Sequence, residues 1–417
     1  IDELSTFSDT PAPSVTRILF TENDVLARRD GYEPELTAVA TGSHTDAIPY
    51  SGKYDGVVGV LGAIEAINAL KRSGFKPKRS LEIILFTSEE PTRFGIGCLG
   101  SRLLAGSEAL AEALKTTVDG QNISFLEAAR SAGYARDEDD LSSVFLKNDS
   151  YSAFVELHIE QAPILEEEGI SIGVVTNIAA PASIKVDFEG NGGHAGGVLM
   201  PDRNDAGLAA AELMLAIEKH ATESGSLDTV GTGFWSFTRE QSIASLVKLT
   251  LKLGHILVLI FIYALDIGVE DGSFRKNEEL EQHGVMLANV RDIEESFRNA
   301  VINKIHKAAK SIAKKRKVIL SEFKIINQDP PAHSNGSVIK AVVDASDELN
   351  LTYKYMISRA YHDSLFMASR AESSSNSTKY SKLEAQLELH QVSLLKLRYS
   401  HKPEEYASPQ DIENGVK

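Results

Sequence analysis

Sulfur is scarce in this sequence: 417 residues carry one cysteine, Cys98. A single thiol excludes an internal disulfide and any metal site built from several thiolates. Positive charge is also short, with 43 Lys+Arg against 59 Asp+Glu and a net charge of −16. That balance argues against general affinity for nucleic acid or for an anionic membrane, so neither is expected as a partner. Long hydrophobic runs are missing. The longest, Ile256–Leu265, has ten residues, where a membrane-spanning helix needs roughly 20. No internal repeat is found, and no charged-then-apolar pattern runs from residue 1 onward, which leaves the sequence silent on targeting. What remains, 42% hydrophobic and 24% charged residues, is the composition of a globular chain rather than a disordered one. The length predicts two or three compact units, each able to bury a core.

The first half alternates short apolar strands with helices. Residues 35–41 form a strand pattern that runs into Gly42-Ser43-His44. Asp55 opens a helical pattern with Val57, Val58, Val60, Leu61, Ile64 and Ile67 on one face, ending before Gly74. Residues 81–86 make a buried-type strand that leads into Thr87-Ser88-Glu89-Glu90. Residues 153–159 alternate, with Ala153, Val155, Leu157 and Ile159 on one face and Glu156, His158 and Glu160 on the other. This order predicts an α/β sheet covered on both faces, whose ligands bind beyond the carboxyl ends of the strands. From about residue 183 the pattern changes. A strand at 183–188, helices at 205–220 and 293–312, and a strand at 318–326 outline a βαββαβ unit inserted into the α/β domain. The helix at 293–312 carries the stripe Phe297, Val301, Ile305 and Ala308, and the two middle strands should lie between about 227 and 291. The expected domains are therefore 1–182 with 331–417, and 183–330. Lys314-Lys-Arg-Lys317 reads as a solvated helix end.

Hydrolysing an amide at neutral pH needs an activated water, a polarised carbonyl and a proton for the leaving nitrogen. Two metal ions bridged by a carboxylate supply the first two, and a free carboxylate shuttles the proton. His44, Asp55, Glu89, Glu90, His158 and His401 offer such a set. All are imidazoles or carboxylates, which suit Zn, Mn, Co or Ni without choosing among them. Asp46 is placed to hold the His44 imidazole from behind. Taken singly these residues are ordinary; the weight comes from Gly42-Ser-His-Thr-Asp46, Tyr54-Asp-Gly56, Ser88-Glu-Glu90 and His158-Ile-Glu-Gln161, each at a predicted strand end or helix start.

Together with Ala47-Ile-Pro-Tyr-Ser-Gly-Lys-Tyr-Asp-Gly56 and Thr87-Ser-Glu-Glu-Pro-Thr-Arg-Phe94, these motifs resemble the dinuclear-metal amidohydrolases of the M20 peptidase clan. The resemblance covers most of residues 2–230, 285–368 and 399–417. It implies a metal-binding catalytic α/β domain with an inserted ferredoxin-like dimerisation (lid) domain. His44, Glu90, His158 and His401 would be ligands to two divalent ions, manganese by resemblance, with Asp55 bridging them. Glu89 would be the general base. Gln161, Arg291, Tyr361 and His362 would contact substrate, with Arg291 gripping its carboxylate. His194, in Gly192-Gly-His-Ala195, would bind substrate and stabilise the tetrahedral intermediate across a homodimer interface. The implied substrate is a small ureido compound of purine (ureide) catabolism, ureidoglycolate, with allantoate, an N-carbamoyl amino acid or a non-catalytic relative as alternatives. The implied compartment is the endoplasmic reticulum.

Four departures from the family stand out. A stretch that includes a strand is missing between Arg29 and Asp30. Residues 234–284 do not resemble the family, and losing the inserted domain's central strands predicts unpaired sheet edges. Residues 369–398 replace an expected strand before His401 with a Leu-rich helical pattern, which threatens that ligand. Ala162 follows Gln161 where the family has glycine.

Overall fold

The structure, a computed structural model, describes residues 15–17, 28–29, 36–134, 141–147, 150–191, 197–235, 283–368, 389–395, 401–402 and 405–416. In chain order its strands are β1 (Val15–Arg17), β2 (Arg28–Arg29), β3 (Ala38–His44), β4 (Ala47–Ser51), β5 (Leu81–Phe86), β6 (Tyr151–Ile159), β7 (Ile172–Ile178), β8 (Ala180–Glu189), β9 (Val230–Trp235), β10 (His283–Asp292), β11 (Ile319–Gln328), β12 (Ala332–His333), β13 (Tyr353–Ser358) and β14 (Leu389–Leu395). The described residues fall into two units. One holds those up to Ala179 and from Pro330 onward; the other holds those from Ala180 to Asp329.

The first unit is built on an eight-stranded mixed sheet in the order β12-β7-β14-β6-β3-β5-β2, with β13 pairing alongside β7. Its middle four strands, β14-β6-β3-β5, are parallel. Helix α1 (Val57–Arg72) buries Val57, Val58, Val60 and Ala63. Val58 joins Leu157, Ile159, Ile172 and Val174 in one apolar cluster, which the C-terminal helix of Pro409–Val416 completes with Ile412 and Val416. Alternation along β6 holds for its pattern but not for its environment. Glu156, His158 and Glu160 are all buried, because the polar face of this strand lies against other polar side chains rather than water.

Two expectations about the atypical segments are corrected. Residues 389–395 form a strand rather than continuing a Leu-rich helix, and β14 lies parallel to β6 and antiparallel to β7. The slot between β6 and β7 presents two rows of backbone donors and acceptors that only an extended segment satisfies, so pairing overrides local pattern. The second unit likewise keeps its central strands. The order β11-β8-β10-β9 is antiparallel throughout, the arrangement of a βαββαβ ferredoxin-like unit. Val230–Trp235 and His283–Asp292 supply the two middle strands; the Ile256–Leu265 run lies outside the described residues.

Helices α2 (Ala206–Thr222) and α3 (Glu295–Arg316) cover one face of that sheet. Ala206, Ala209, Ala210, Leu213 and Ile217 pack with Val301, Ile302, Ile305 and Ala309 against Ile184, Val186, Phe188 and Met286. Asp205 caps α2, its side chain accepting from the Leu208 N–H. The buried stripe of α3 includes Arg298 rather than Phe297, and Arg298 is fully buried. Its guanidinium donates to the Asp329 and Pro181 carbonyls and to Glu295 and Asn299. Arg298→Met keeps the volume and strands those carbonyls. It is expected to lower the unfolding free energy by roughly 2–4 kcal/mol, read from the urea midpoint of the full chain.

Candidate metal centre

Parallel pairing of β14, β6, β3 and β5 sets four carboxyl ends along one edge. His44 ends β3, His158 lies in the last turn of pleat of β6, and Ser88-Glu89-Glu90 follows β5. His401 follows β14 in the chain. Asp55 enters from the turn before α1. Gly56, next to it, has φ +65°, and a Cβ there would lie 2.5 Å from the His44 Nε2. Glycine is the residue that lets the turn adopt this backbone while the imidazole stays in place.

These side chains converge on the Asp55 carboxylate. Asp55 Oδ1 lies 3.1 Å from His158 Nε2 and 3.7 Å from His44 Nε2. Asp55 Oδ2 lies 2.9 Å from His401 Nε2, which is 3.6 Å from Glu90 Oε1. Two ligand sets result, His44–Asp55–His158 and Asp55–Glu90–His401, each with its donor atoms within 4.8 Å of one another. His44 Nδ1 lies 3.1 Å from the Asp46 carbonyl and His158 Nδ1 lies 2.9 Å from the Ile159 carbonyl. A carbonyl only accepts, so Nδ1 donates in both rings and Nε2 is the atom aimed at the centre. His44 Nε2 is buried and has no hydrogen-bond partner. A cation is the species that would satisfy it, and the donor set of nitrogens and oxygens fits a divalent metal.

The carboxylates are tuned by one another. Burial acts to raise the Asp55 carboxyl, yet His158 and His401 hold it well below the usual carboxylate range. Burial pushes the Glu89 carboxyl well up, against His44 and with help from Glu90, Asp363 and Asp46. Burial takes Glu90 up to about 7, opposed by His401 and reinforced by Asp55. Burial works against the His44 imidazolium, but Asp46, Glu89 and Asp55 raise it well above the ordinary value.

Asp46 does more than was expected of it. Its main-chain oxygen meets His44, while its carboxylate accepts the N–H groups of Glu89 at 3.2 Å and Glu90 at 2.9 Å. The side chain thus aims the paired acids, and its Oδ1 also stands 3.6 Å from His44 Nδ1, behind the imidazole as expected. Gln161 donates to Asp55 Oδ2 at 2.8 Å and lies 3.2 Å from His401 Nε2. His362 is buried edge-on against His158, with ring centroids 4.6 Å apart, and its Nε2 lies 2.7 Å from Ser358 Oγ. Tyr361 stacks on Phe366, under Arg102. Arg291 lies on β10 in the second unit, opposite Pro181 and Val230. His194 lies outside the described residues.

Several groups at this edge carry no local sequence signal. Cys98 Sγ donates to Glu89 Oε1 at 3.3 Å. Glu156 accepts from Ser43 at 2.8 Å and from Ser364 at 2.6 Å. A third possible ligand set, Glu156–His158–His362, is already committed through these serines and Ser358. Glu405 accepts main-chain N–H groups of Tyr54, Asp55 and His401. Its place four residues after a candidate ligand was the one clue available.

Comparison with known proteins follows the same geometry. The family model for peptidase family M20/M25/M40 matches residues 40–417. The ureidoglycolate hydrolase of Arabidopsis thaliana is 60% identical over 448 residues, covering 100% of this chain and 83% of that protein. The ureidoglycolate hydrolase of Oryza sativa subsp. japonica is 57% identical over 446 residues, covering 100% of this chain and 81% of that protein. Among solved structures, AtUAH in complex with glyoxylate is 57% identical, with a TM-score of 0.81 over 100% of this chain and 93% of that one.

The contact between Gly56 and His44 is directly testable. Gly56→Ala is expected to lower the unfolding free energy of chelator-treated protein by about 1–3 kcal/mol, measured by urea titration. A parental midpoint would refute the close approach.

Proposed function

The chain belongs to peptidase family M20/M25/M40, and from that premise we propose that it is a two-metal amidohydrolase that hydrolyses ureidoglycolate. The division of the Asp55 carboxylate carries the proposal. One oxygen faces His44 and His158, and the other faces His401 with Glu90 beside it. The substrate rests on the relatives of 60% and 57% identity named for that reaction. Hydrolysis of ureidoglycolate with one water gives glyoxylate, carbon dioxide and two molecules of ammonia. Glyoxylate is also the molecule held in the similar AtUAH structure.

His44, Asp55 and His158 would hold one ion, and Asp55, Glu90 and His401 the other. When bound, divalent cations supply polarisation of the ureido carbonyl and a more acidic attacking water. Glu89 is the group left to move protons. Its raised carboxyl pKa suits a residue that accepts a proton from water and returns it to the leaving nitrogen. The Cys98 thiol fixes Glu89 Oε1, leaving Oε2 on the side of His44, 3.8 Å from its Nε2. Arg291 and His194 enter through the family resemblance, as the groups that grip the substrate carboxylate and steady the tetrahedral intermediate. Manganese, a homodimer and the endoplasmic reticulum belong to the proposal on the same ground. Elemental analysis after growth in mixed metals, sedimentation velocity and imaging of the tagged protein test each in turn.

Reconstituted with Mn2+, the chain is expected to release ammonia from ureidoglycolate with kcat/KM at least about tenfold above allantoate and N-carbamoyl amino acids. Glu89→Gln is expected to lower kcat by about 100- to 10,000-fold while bound metal per chain stays unchanged. A chain that carries two ions and releases no ammonia from any of these substrates would sink the proposal.

Metal uptake should also release protons. Burial opposes the His401 imidazolium, but Asp55 and Glu90 raise it to about 9. At pH 7 the metal-free ring is therefore protonated, and the incoming ion must displace that proton. Apparent affinity is expected to rise with pH and to level off above about 9. Calorimetry in two buffers of different ionisation enthalpy reads the release, and identical heats in both would contradict it.

A further inference from the structure

Glu405 is buried, with 4% of its surface exposed. Its Oε1 accepts the main-chain N–H of Tyr54 at 2.7 Å and of Asp55 at 3.1 Å. Its Oε2 accepts the main-chain N–H of His401 at 3.2 Å. One carboxylate therefore grips the backbone of both residues whose side chains meet at 2.9 Å across the centre. Glu405 lies 350 positions from Asp55 in the chain, so no local structure sets the separation of the two segments it joins.

Two details make this grip specific. Gly52 leaves the slot that Glu405 fills, since a Cβ there would lie 2.2 Å from the Glu405 Cβ. His401 has φ +56°, a left-handed backbone that is unfavourable for a non-glycine residue. The bond from its N–H to Glu405 helps to hold it there. Both Glu405 oxygens accept N–H groups, and Glu405 belongs to none of the possible ligand sets among the described residues. Gln161 touches the Asp55 and His401 side chains, contacts that hold neither backbone.

We propose that Glu405 is a positioning residue that sets the distance between Asp55 and His401 and so builds the cation position formed with Glu90. The inference rests on the two-metal reading above. Charge-assisted bonds to main-chain N–H groups suit the task, because they fix the backbone from which each ligand projects.

The test is a Mn2+ titration of the full chain by calorimetry and electron paramagnetic resonance, with Glu405→Gln as the variant. Gln keeps the shape and one acceptor oxygen, but its NH2 cannot accept from the His401 N–H. The parent is expected to take up two ions and show a spin-coupled signal. The variant is expected to bind one ion with parental affinity and the second at least about tenfold more weakly, giving an isolated-ion signal at low Mn2+. Excess Mn2+ should restore its kcat, a rescue that a purely structural role would not show. Parental affinity for both ions, or equal weakening of both, overturns the proposal. If Glu405→Gln does not fold in chelator, Glu405→Asp replaces it; this keeps the charge, is one methylene too short to span both segments, and should lose the same second ion. If neither folds, Glu405 is a scaffold residue and the proposal is wrong. A parent that binds no Mn2+ defeats the two-metal reading itself, whereas a two-ion parent with an unaltered variant defeats only the role of Glu405.

Discussion

The Asp55 carboxylate faces two groups of side chains at once, and the backbone around it is organised to keep it there. Its own turn is left-handed at Gly56 and feeds directly into a buried helix, so the turn cannot swing without unpacking Val57 and Val58. On one side stand His44 and His158, projected from adjacent parallel strands whose register is set by main-chain pairing. On the other stands His401, whose backbone is tied to that of Asp55 through a buried glutamate. Strand register, a glycine turn and one long-range carboxylate thus act on a single side chain. Each comes from a different part of the chain, which explains why the centre needs so much of it.

The charge concentrated at this edge is the second constraint. Asp46, Asp55, Glu89, Glu90, Glu156, Asp363 and Glu405 are all buried, and buried carboxylates persist only when paired, hydrogen-bonded or protonated. The structure uses all three answers. Asp46 and Glu405 accept backbone N–H groups. Asp55 is paired with imidazolium. Burial and the neighbouring Glu156 raise the Asp363 carboxyl well above the ordinary range, which favours its protonated form, while its Oδ1 accepts from Ser101 at 2.5 Å. Glu89 and Glu90 remain, raised by burial and by their neighbours. Cations placed against them would remove the largest uncompensated cost, so metal binding and folding stability are expected to be linked in this unit.

Much of this was legible in the sequence because it is local. The apolar run Leu81–Phe86, the alternation before His158 and the amphipathic helix after Asp55 each carry their own period, and each motif sits where that period ends. The βαββαβ outline was legible for the same reason, although the α3 stripe is rotated to admit Arg298, whose buried partners are carbonyls that no hydrophobic pattern reveals. The strand Leu389–Leu395 was not legible. Its residues favour no strand by themselves, and its conformation is imposed by the gap between β6 and β7. Glu156, Cys98 and Glu405 were missed because each acts through a partner remote in sequence, at a separation that no motif encodes. Asp46 shows the intermediate case: its presence two residues after His44 marked it as important, while the job of its carboxylate depends on where β5 ends.

Backbone strain follows the same geography. Ser88, Cys98 and His401 all adopt φ between +52° and +57°, values that non-glycine residues rarely take. Ser88 precedes the paired acids, Cys98 donates to one of them, and His401 faces Asp55. The compensation is visible for the first two. Cys98 N–H bonds to the Glu89 carbonyl at 2.7 Å, Leu99 N–H to Ser88 at 2.9 Å and Gly100 N–H to Thr87 at 2.8 Å. These bonds close the segment after β5 back onto the start of the helix Leu99–Leu104 and hold Glu89 and Glu90 at its mouth. Relaxing Ser88 into an ordinary conformation would break that ladder and turn the carboxylates away from Asp46. The strain is therefore the geometric consequence of presenting two adjacent acids to one centre, since neighbouring residues on a regular strand would point to opposite faces.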